Sequence, residues 1–404
     1  MSDLKHTKTL NYFEGALIER IRSVSNTYYF LLVVFALMML AGSIAGLQAT
    51  VGGHHVYYGV TREISWGVLI SVYIYFVVTS TGLCLVSSAG HIFGVEAFNP
   101  IAKRAVFMSI ATLLAGFFVI SAEIKVPIRM MLYNIISPNL TSNIWWMGTL
   151  YGVALAVMLL EFIFLYLKRH NPAIICGFIA VIAEIAANSN LAAVFGLLNG
   201  REFWHGPLLP VFFIASAIMV GGSAIIFFNY LAHKINGEQV DFPMARALNA
   251  SRKVAILGIC IVLFFTIWRM VSGLAGEPNG LYKGTMAMVA GNYAISFWFF
   301  EIFLGMLLPL ALFIMAGKEN RAMMFVAASL MFIGVFFMRY NMVIVGQTID
   351  VYSSIGVTGT QSLLEYFPSF NEMIVTLGGF GLTGFLFMLG EKVFAGHKVT
   401  DDHH

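Results

Sequence analysis

Residues 187–210 read ANSNLAAVFGLLNGREFWHGPLLP. An apolar helix carrying Asn188, Ser189 and Asn190 runs out into a charged and aromatic turn, Arg201-Glu202-Phe203-Trp204-His205, and Gly206-Pro207 opens a second apolar helix. Two such helices joined by a short polar and aromatic turn form a hairpin that returns at a membrane surface. The pattern recurs along the chain. Apolar runs of spanning length lie at about 27–50, 64–90, 104–124, 143–167, 173–198, 207–232, 253–274, 291–316, 321–346 and 369–390. This spacing predicts an all-α polytopic membrane protein with ten transmembrane helices.

Composition agrees. At 59% hydrophobic and only 11% charged residues, with a mean hydropathy of +0.84, the 404-residue chain is too apolar for a soluble domain. A net charge of +3 gives no reason to expect a nucleic-acid partner. The N-terminus is polar and the first apolar run spans a bilayer by itself, so no cleavable signal is expected. Leu10, Phe13, Leu17, Ile18 and Ile21 share a helical face, which suits a short interfacial helix over 9–22 or a solvated leader.

The three cysteines, Cys84, Cys176 and Cys260, stand singly in apolar runs, which argues against an iron–sulfur cluster or structural zinc in this chain. All ten histidines fall outside the apolar runs or at their ends, so the facing ligands of a membrane haem are not expected. Orientation follows from Lys and Arg. With a cytoplasmic N-terminus, sixteen fall on the cytoplasmic side and five on the other, while Arg269 and Arg339 lie inside helices. Both termini are therefore expected in the cytoplasm, with the longer loops outside, where a partner would dock.

Ionisable groups at membrane depth need partners or a wet cavity. Glu184 lies near mid-depth and reads either as a hydrogen-bonded core glutamate or as a proton carrier. Glu161 sits nearer the cytoplasmic face, where it can snorkel towards Lys168. Together with Ser87 and His91, and with Thr79 and Thr81 on the same helix, the two glutamates mark a candidate proton path. Arg269, Glu301 and Arg339 fall in the outer half of three consecutive helices and are expected to form a buried ionic network, with Asn341 and Gln347 prolonging it.

At the outer ends of the second to sixth helices, Glu123, Asn190, Arg201, His205, Trp66, Tyr73 and Trp204 are expected at one depth. Singly, each aromatic is an ordinary interfacial anchor and His205 a surface histidine, expected to cap the sixth helix. Together they suit a quinone headgroup, which needs an apolar slot, hydrogen-bond donors and a proton relay. Glu123 and His205 would exchange protons, Arg201 and Asn190 would donate hydrogen bonds, and Trp66, Tyr73 and Trp204 would form walls. A secondary transporter with a mid-membrane site is the alternative, and it would interrupt helices at Gly221-Gly222 or Gly378-Gly379. A purely structural anchor is the third reading, and it leaves Glu123, Arg201 and His205 without a role.

Several short stretches are shared with a known family: Ser65-Trp66-Gly67 with Ser71 and Tyr73; Ala122-Glu123-Ile124-Lys125-Val126-Pro127; Ser137-Pro138-Asn139 with Ser142; Val194-Phe195-Gly196 with Arg201, Trp204 and Pro210; Phe297-Trp298 with Glu301 and Pro309; and Arg339-Tyr340-Asn341 with Gly346-Gln347. On these residues, from about 60 to 390, the chain resembles the NrfD/PsrC (polysulfide-reductase membrane subunit) family, in the ten-helix form of HybB-, DsrP-, QrcD- and ActC-like subunits. Glu123 stands where the family usually has Asp, and Lys125 where it has Gly.

The resemblance implies a prokaryotic inner-membrane subunit with a periplasmic-side pocket for menaquinone or ubiquinone and no haem or iron–sulfur cluster of its own. It implies a ferredoxin-like iron–sulfur partner outside, and beyond it a molybdopterin enzyme, multihaem cytochrome or hydrogenase. The implied division is a cytoplasmic segment 1–26, flanking helix 27–50, first four-helix bundle 51–206 with the pocket, second bundle 207–367, and flanking helix and tail 368–404.

Overall fold

The computed structural model describes residues 26–276, 278–351 and 363–394, so the interfacial helix expected over 9–22 lies outside the described residues. Ten helices among the described residues are long and apolar enough to cross a membrane. They are α1 (Asn26–Gly52), α2 (Val68–His91), α3 (Ala102–Glu123), α4 (Asn143–Tyr166), α5 (His170–Gly196), α6 (Leu208–Asn236), α7 (Phe242–Leu274), α8 (Ile295–Ala316), α9 (Arg321–Thr348) and α10 (Phe370–Val393). The chain is an all-α, multi-pass membrane protein.

Packing contacts arrange the helices in two rings of four. α2 packs on α3 and α5, and α4 bridges α3 and α5; α6 packs on α7 and α9, and α8 bridges α7 and α9. The rings meet where α2 touches α6 and α9 and where α5 touches α6, while α1 pairs with α10 and both rest on α3. Burial follows position: the most apolar stretch of α2 is 89% buried and that of α1 only 17%. A hydrophobic helix interior to the bundle faces protein all round, whereas a peripheral one faces lipid.

Gly82 of α2 and Gly221 of α6 lie where the rings cross, and a Cβ on either would collide with the other helix's backbone. Gly378 meets Gly42 in the same way between α10 and α1. The glycine pairs at which a transporter would break its helices thus sit inside continuous helices, as points of close approach. The irregular stretch lies elsewhere, because Ile295–Leu307 of α8 is wound as a π-helix around Glu301.

The largest boundary difference concerns α7, expected from 253 but starting at Phe242. Asp241 caps it by accepting from the Met244 amide, and Pro243 occupies the first turn. Arg104, one of the sixteen cations expected on the cytoplasmic side, is buried. Its guanidinium pairs with Glu391 of α10 at 2.6 and 3.0 Å and also donates to Asn229 of α6. At the opposite end stand all six tryptophans: Trp66, Trp145, Trp146, Trp204, Trp268 and Trp298.

Candidate functional site

The first residues of α2 organise the tryptophan end. Gln347, near the end of α9, accepts from the Trp66 amide at 2.9 Å and donates to the Trp66 carbonyl at 2.7 Å. This two-point clamp fixes the Trp66 backbone, and its ring stacks on Trp204 with centroids 5.6 Å apart and planes 25° from parallel. Phe195 stands edge-on to both rings, 5.1 Å from each. Trp204 Nε1 donates to the Met342 carbonyl at 2.6 Å, and the ring lies against Gly346, where a Cβ would collide with it. The turn between α5 and α6 thus carries one wall of an aromatic cluster. Arg201 supports the cluster from outside: its guanidinium donates to the carbonyls of Gln347, Ile349 and Glu63.

A second group lies on the other side of the α2 start. Tyr366 accepts a hydrogen bond from the Val68 amide at 2.7 Å and donates to Glu372 of α10, also at 2.7 Å. Glu372 is fully buried and also accepts from the amides of Gly59 and Ser369. Burial, with the Glu372 carboxylate beside it, pushes the Tyr366 hydroxyl far above its ordinary range, so it stays a donor. Tyr58 donates to the Ala122 carbonyl at 3.0 Å, next to Glu123. Burial and then the carboxylates of Glu123 and Glu372 likewise push its hydroxyl up. Glu123 closes α3, and its Oε2 is buried with no hydrogen-bond partner among the described residues. An orphaned carboxylate oxygen at this depth can accept a proton or a hydrogen bond from a ligand.

Deeper in the first ring, Glu184 of α5 accepts from Thr81 at 2.6 Å and Ser80 at 3.2 Å, both on α2. Ser80 continues to Ser109 of α3 at 2.9 Å. Tyr73 is buried in the same interior. Tyr151 Oη, Ser71 Oγ and both polar atoms of the fully buried Asn188 have no hydrogen-bond partner among the described residues. Glu161 is buried on α4, 2% exposed, and so is not at a solvated end. Ser87 is buried and donates to the Cys84 carbonyl. His91 closes α2, and its side chain lies outside what the structure describes.

The charges of the second ring do not close into an Arg–Glu–Arg contact. Arg339 donates to Ser216 at 2.5 Å and lies over the Phe213 ring, and Arg269 lies over Phe203 at 4.4 Å. Glu301 accepts from Asn341 at 2.7 Å. A hydroxyl, an amide and two aromatic faces take the close contacts, while Glu301 still acts on both arginines through its field.

The expected quinone residues therefore fall into separate groups. Trp66, Trp204 and Arg201 come together; Glu123 sits across the α2 start; Tyr73 lies below, inside the ring. Asn190 donates to the Asn143 carbonyl and ties α5 to α4. His205 is exposed and does not cap α6, whose N-cap residue is Pro207. A cleft of about 140 Å³ adjoins the first group, between Arg201, Glu202, Asn279, Lys283, Gly346 and Asp350. Sequence reasoning misses Glu372 and Tyr366. Ser369-x-x-Glu372 before an apolar run is a capping-box signature that could have drawn attention to the first. Nothing in the spacing signals the second.

Among the described residues no cluster of His, Cys, Asp or Glu could hold a metal ion. Comparison with known proteins adds the lineage. Residues 58–351 match the family model for polysulphide reductase, NrfD. A selenate reductase subunit of Mesobacillus selenatarsenatis is 22% identical, over 81% of this chain and 85% of its own length. The Hdr-like menaquinol oxidoreductase integral membrane subunit of Archaeoglobus fulgidus is also 22% identical, over 93% of this chain and 95% of its own.

Proposed function

The chain belongs to the polysulphide reductase NrfD family, and from that premise we propose that it is the quinone-reactive membrane subunit of a respiratory oxidoreductase. It lies in a prokaryotic inner membrane with both termini cytoplasmic and the tryptophan end outside, as the Lys and Arg distribution supports. A menaquinone or ubiquinone meets the chain at that end. The single observation that carries the reading is Glu123: a buried carboxylate oxygen without a partner among the described residues, beside the α2 start that holds Trp66 against Trp204.

The residues present fit such a ligand. The quinone supplies two-electron redox chemistry coupled to two protons when bound. Glu123 takes or returns a proton through Oε2, and the Trp66, Trp204 and Phe195 rings exclude water and give the ring system an apolar wall. Arg201 and Gln347 act one layer out, because three guanidinium hydrogen bonds and both hydrogens of the Gln347 amide go to backbone carbonyls. Electrons pass to a ferredoxin-like iron–sulfur subunit docked at the tryptophan end, and then to a catalytic subunit. The two relatives are, by name, a reductase subunit and the integral membrane subunit of an oxidoreductase, which supports membership of a complex. The Glu184–Ser80–Ser109 chain of hydrogen bonds supports a proton path from the opposite end, with Glu161, Ser87 and His91 as its inner part.

The test uses native membranes carrying the intact complex. Glu123→Gln should lower quinone-linked turnover about 10²-fold or more, the range for a lost proton-transfer group. Saturable quenching of tryptophan emission by a short-tailed naphthoquinone should persist in that variant. Unchanged turnover would remove Glu123 from the mechanism, and the lack of saturable quenching in the wild type would sink the quinone site.

A further inference from the structure

Between α3 and α4 the chain forms a ten-residue helix, Pro127–Ile136, of which no residue is buried. Ile128, Met131, Leu132, Ile135 and Ile136 are 56–79% exposed. An apolar helix so exposed would be a liability in water. Its depth, however, is set by its tethers. Asn134 donates through Nδ2 to Thr149 Oγ1 at 3.0 Å and accepts at its backbone carbonyl from Trp145 Nε1 at 2.8 Å. Its side-chain oxygen lies over Gly148, within ordinary contact distance of an added Cβ. Asn134 therefore runs alongside the opening turns of a spanning helix.

The depth can be sized. α4 has 24 residues, about 36 Å at ~1.5 Å per residue, so a centred α4 overhangs a ~30 Å hydrocarbon core by about 3 Å at each end. Thr149 stands six residues past Asn143, about 9 Å along the axis. Asn134 then sits about 6 Å below the hydrocarbon boundary, inside the ~5–10 Å range of helices that lie in a membrane interface.

The surroundings match that placement. Ile144 and Val153, which flank the tethered stretch of α4, and Leu160 and Ile163 further along it are all exposed, as on a helix at the edge of the bundle. Arg129 lies 5.2 Å from the Tyr133 ring centroid, a cation resting on an amphipathic ring as at a headgroup boundary. Pro127 occupies the first turn, where its missing N–H leaves no donor unsatisfied in an apolar medium, and the Ser137 amide closes the other end on the Tyr133 carbonyl.

We propose that Pro127–Ile136 is a half-inserted helix whose apolar side is covered by the acyl chains of the leaflet at the tryptophan end. It lies in the membrane plane beside α4 and is not a docking platform for a protein partner. The inference does not depend on the quinone reading.

The experiment places a polarity-sensitive nitrobenzoxadiazole label at Met131→Cys or Ile135→Cys, with Cys84, Cys176 and Cys260 replaced by Ala. The full chain is reconstituted in phosphatidylethanolamine and phosphatidylglycerol nanodiscs. Spin labels high on the acyl chain should quench both positions about twofold more than labels at the headgroup or the acyl terminus, as the shallow depth requires. Photoactivatable acyl lipids should also form adducts within 128–136 of the unaltered chain, which keeps the test valid if the cysteine variants fold poorly. Labels that lipid spin probes do not quench, together with an absence of adducts, would overturn the proposal. So would adducts that vanish when the partner subunits are bound, because a protein would then be the occupant.

Discussion

At the scale of single residues, the tryptophan end is held by groups that satisfy backbone atoms. Tyr366 joins the Val68 amide to Glu372 through one hydroxyl, so Tyr366→Phe leaves a buried N–H without an acceptor and removes a donor from a buried carboxylate. The cost should be about 1–3 kcal/mol. Thermal unfolding in nanodiscs should register the loss, and a shift in tryptophan emission should show that Trp66 has moved against Trp204. An unchanged midpoint and spectrum would mean that the Tyr366 bridge contributes nothing. Residue types were legible in the sequence where chemistry is unusual for lipid: Glu123, Glu184, Glu301, Arg269 and Arg339 all stand out among apolar neighbours. Two of their partners were grouped with them, Thr81 with Glu184 and Asn341 with Glu301, whereas Ser216 is an ordinary helix residue whose role depends on which turns face each other. Arg201 illustrates the limit. Its charge suggested a ligand donor, while three carbonyls from distant segments take up its hydrogen bonds.

At the scale of elements, hydropathy located all ten spans, and their ends were set by caps. α7 begins eleven residues before the apolar run expected at 253, because Asp241 and Pro243 can start a helix whose first turns are polar. Arg104 opens α3 and belongs energetically to three elements, since its guanidinium joins Glu391 of α10 and Asn229 of α6. A buried pair stripped of one member strands the other, so Arg104→Ala should destabilise the fold by about 3–5 kcal/mol. Replacing both Arg104 and Glu391 with apolar residues of similar volume should cost much less, which a double-mutant cycle by thermal unfolding would reveal. A loss in the double variant equal to that of the single would show that the ion pair itself, and not the stranding of one partner, stabilises the fold. The counting of cationic residues that suggests an orientation treats Arg104 as a loop charge, whereas its guanidinium is buried.

At the scale of the molecule, a division into two four-helix bundles was suggested by the family resemblance. The way the rings join was not, because glycines in apolar helices carry no signal of what they face. Gly221→Ala tests the junction: its methyl would meet the Gly82 backbone, and the overpacking should cost about 1–3 kcal/mol. A melting midpoint equal to that of the wild type would show that the rings can part without penalty. The crossing also limits how the halves can communicate. Two backbones already in contact leave no side chains to re-interdigitate, so shear of α2 along α6 would drive Ala217 or its neighbours into the opposite main chain. At this crossing such shear is opposed, and the two halves are held in register there.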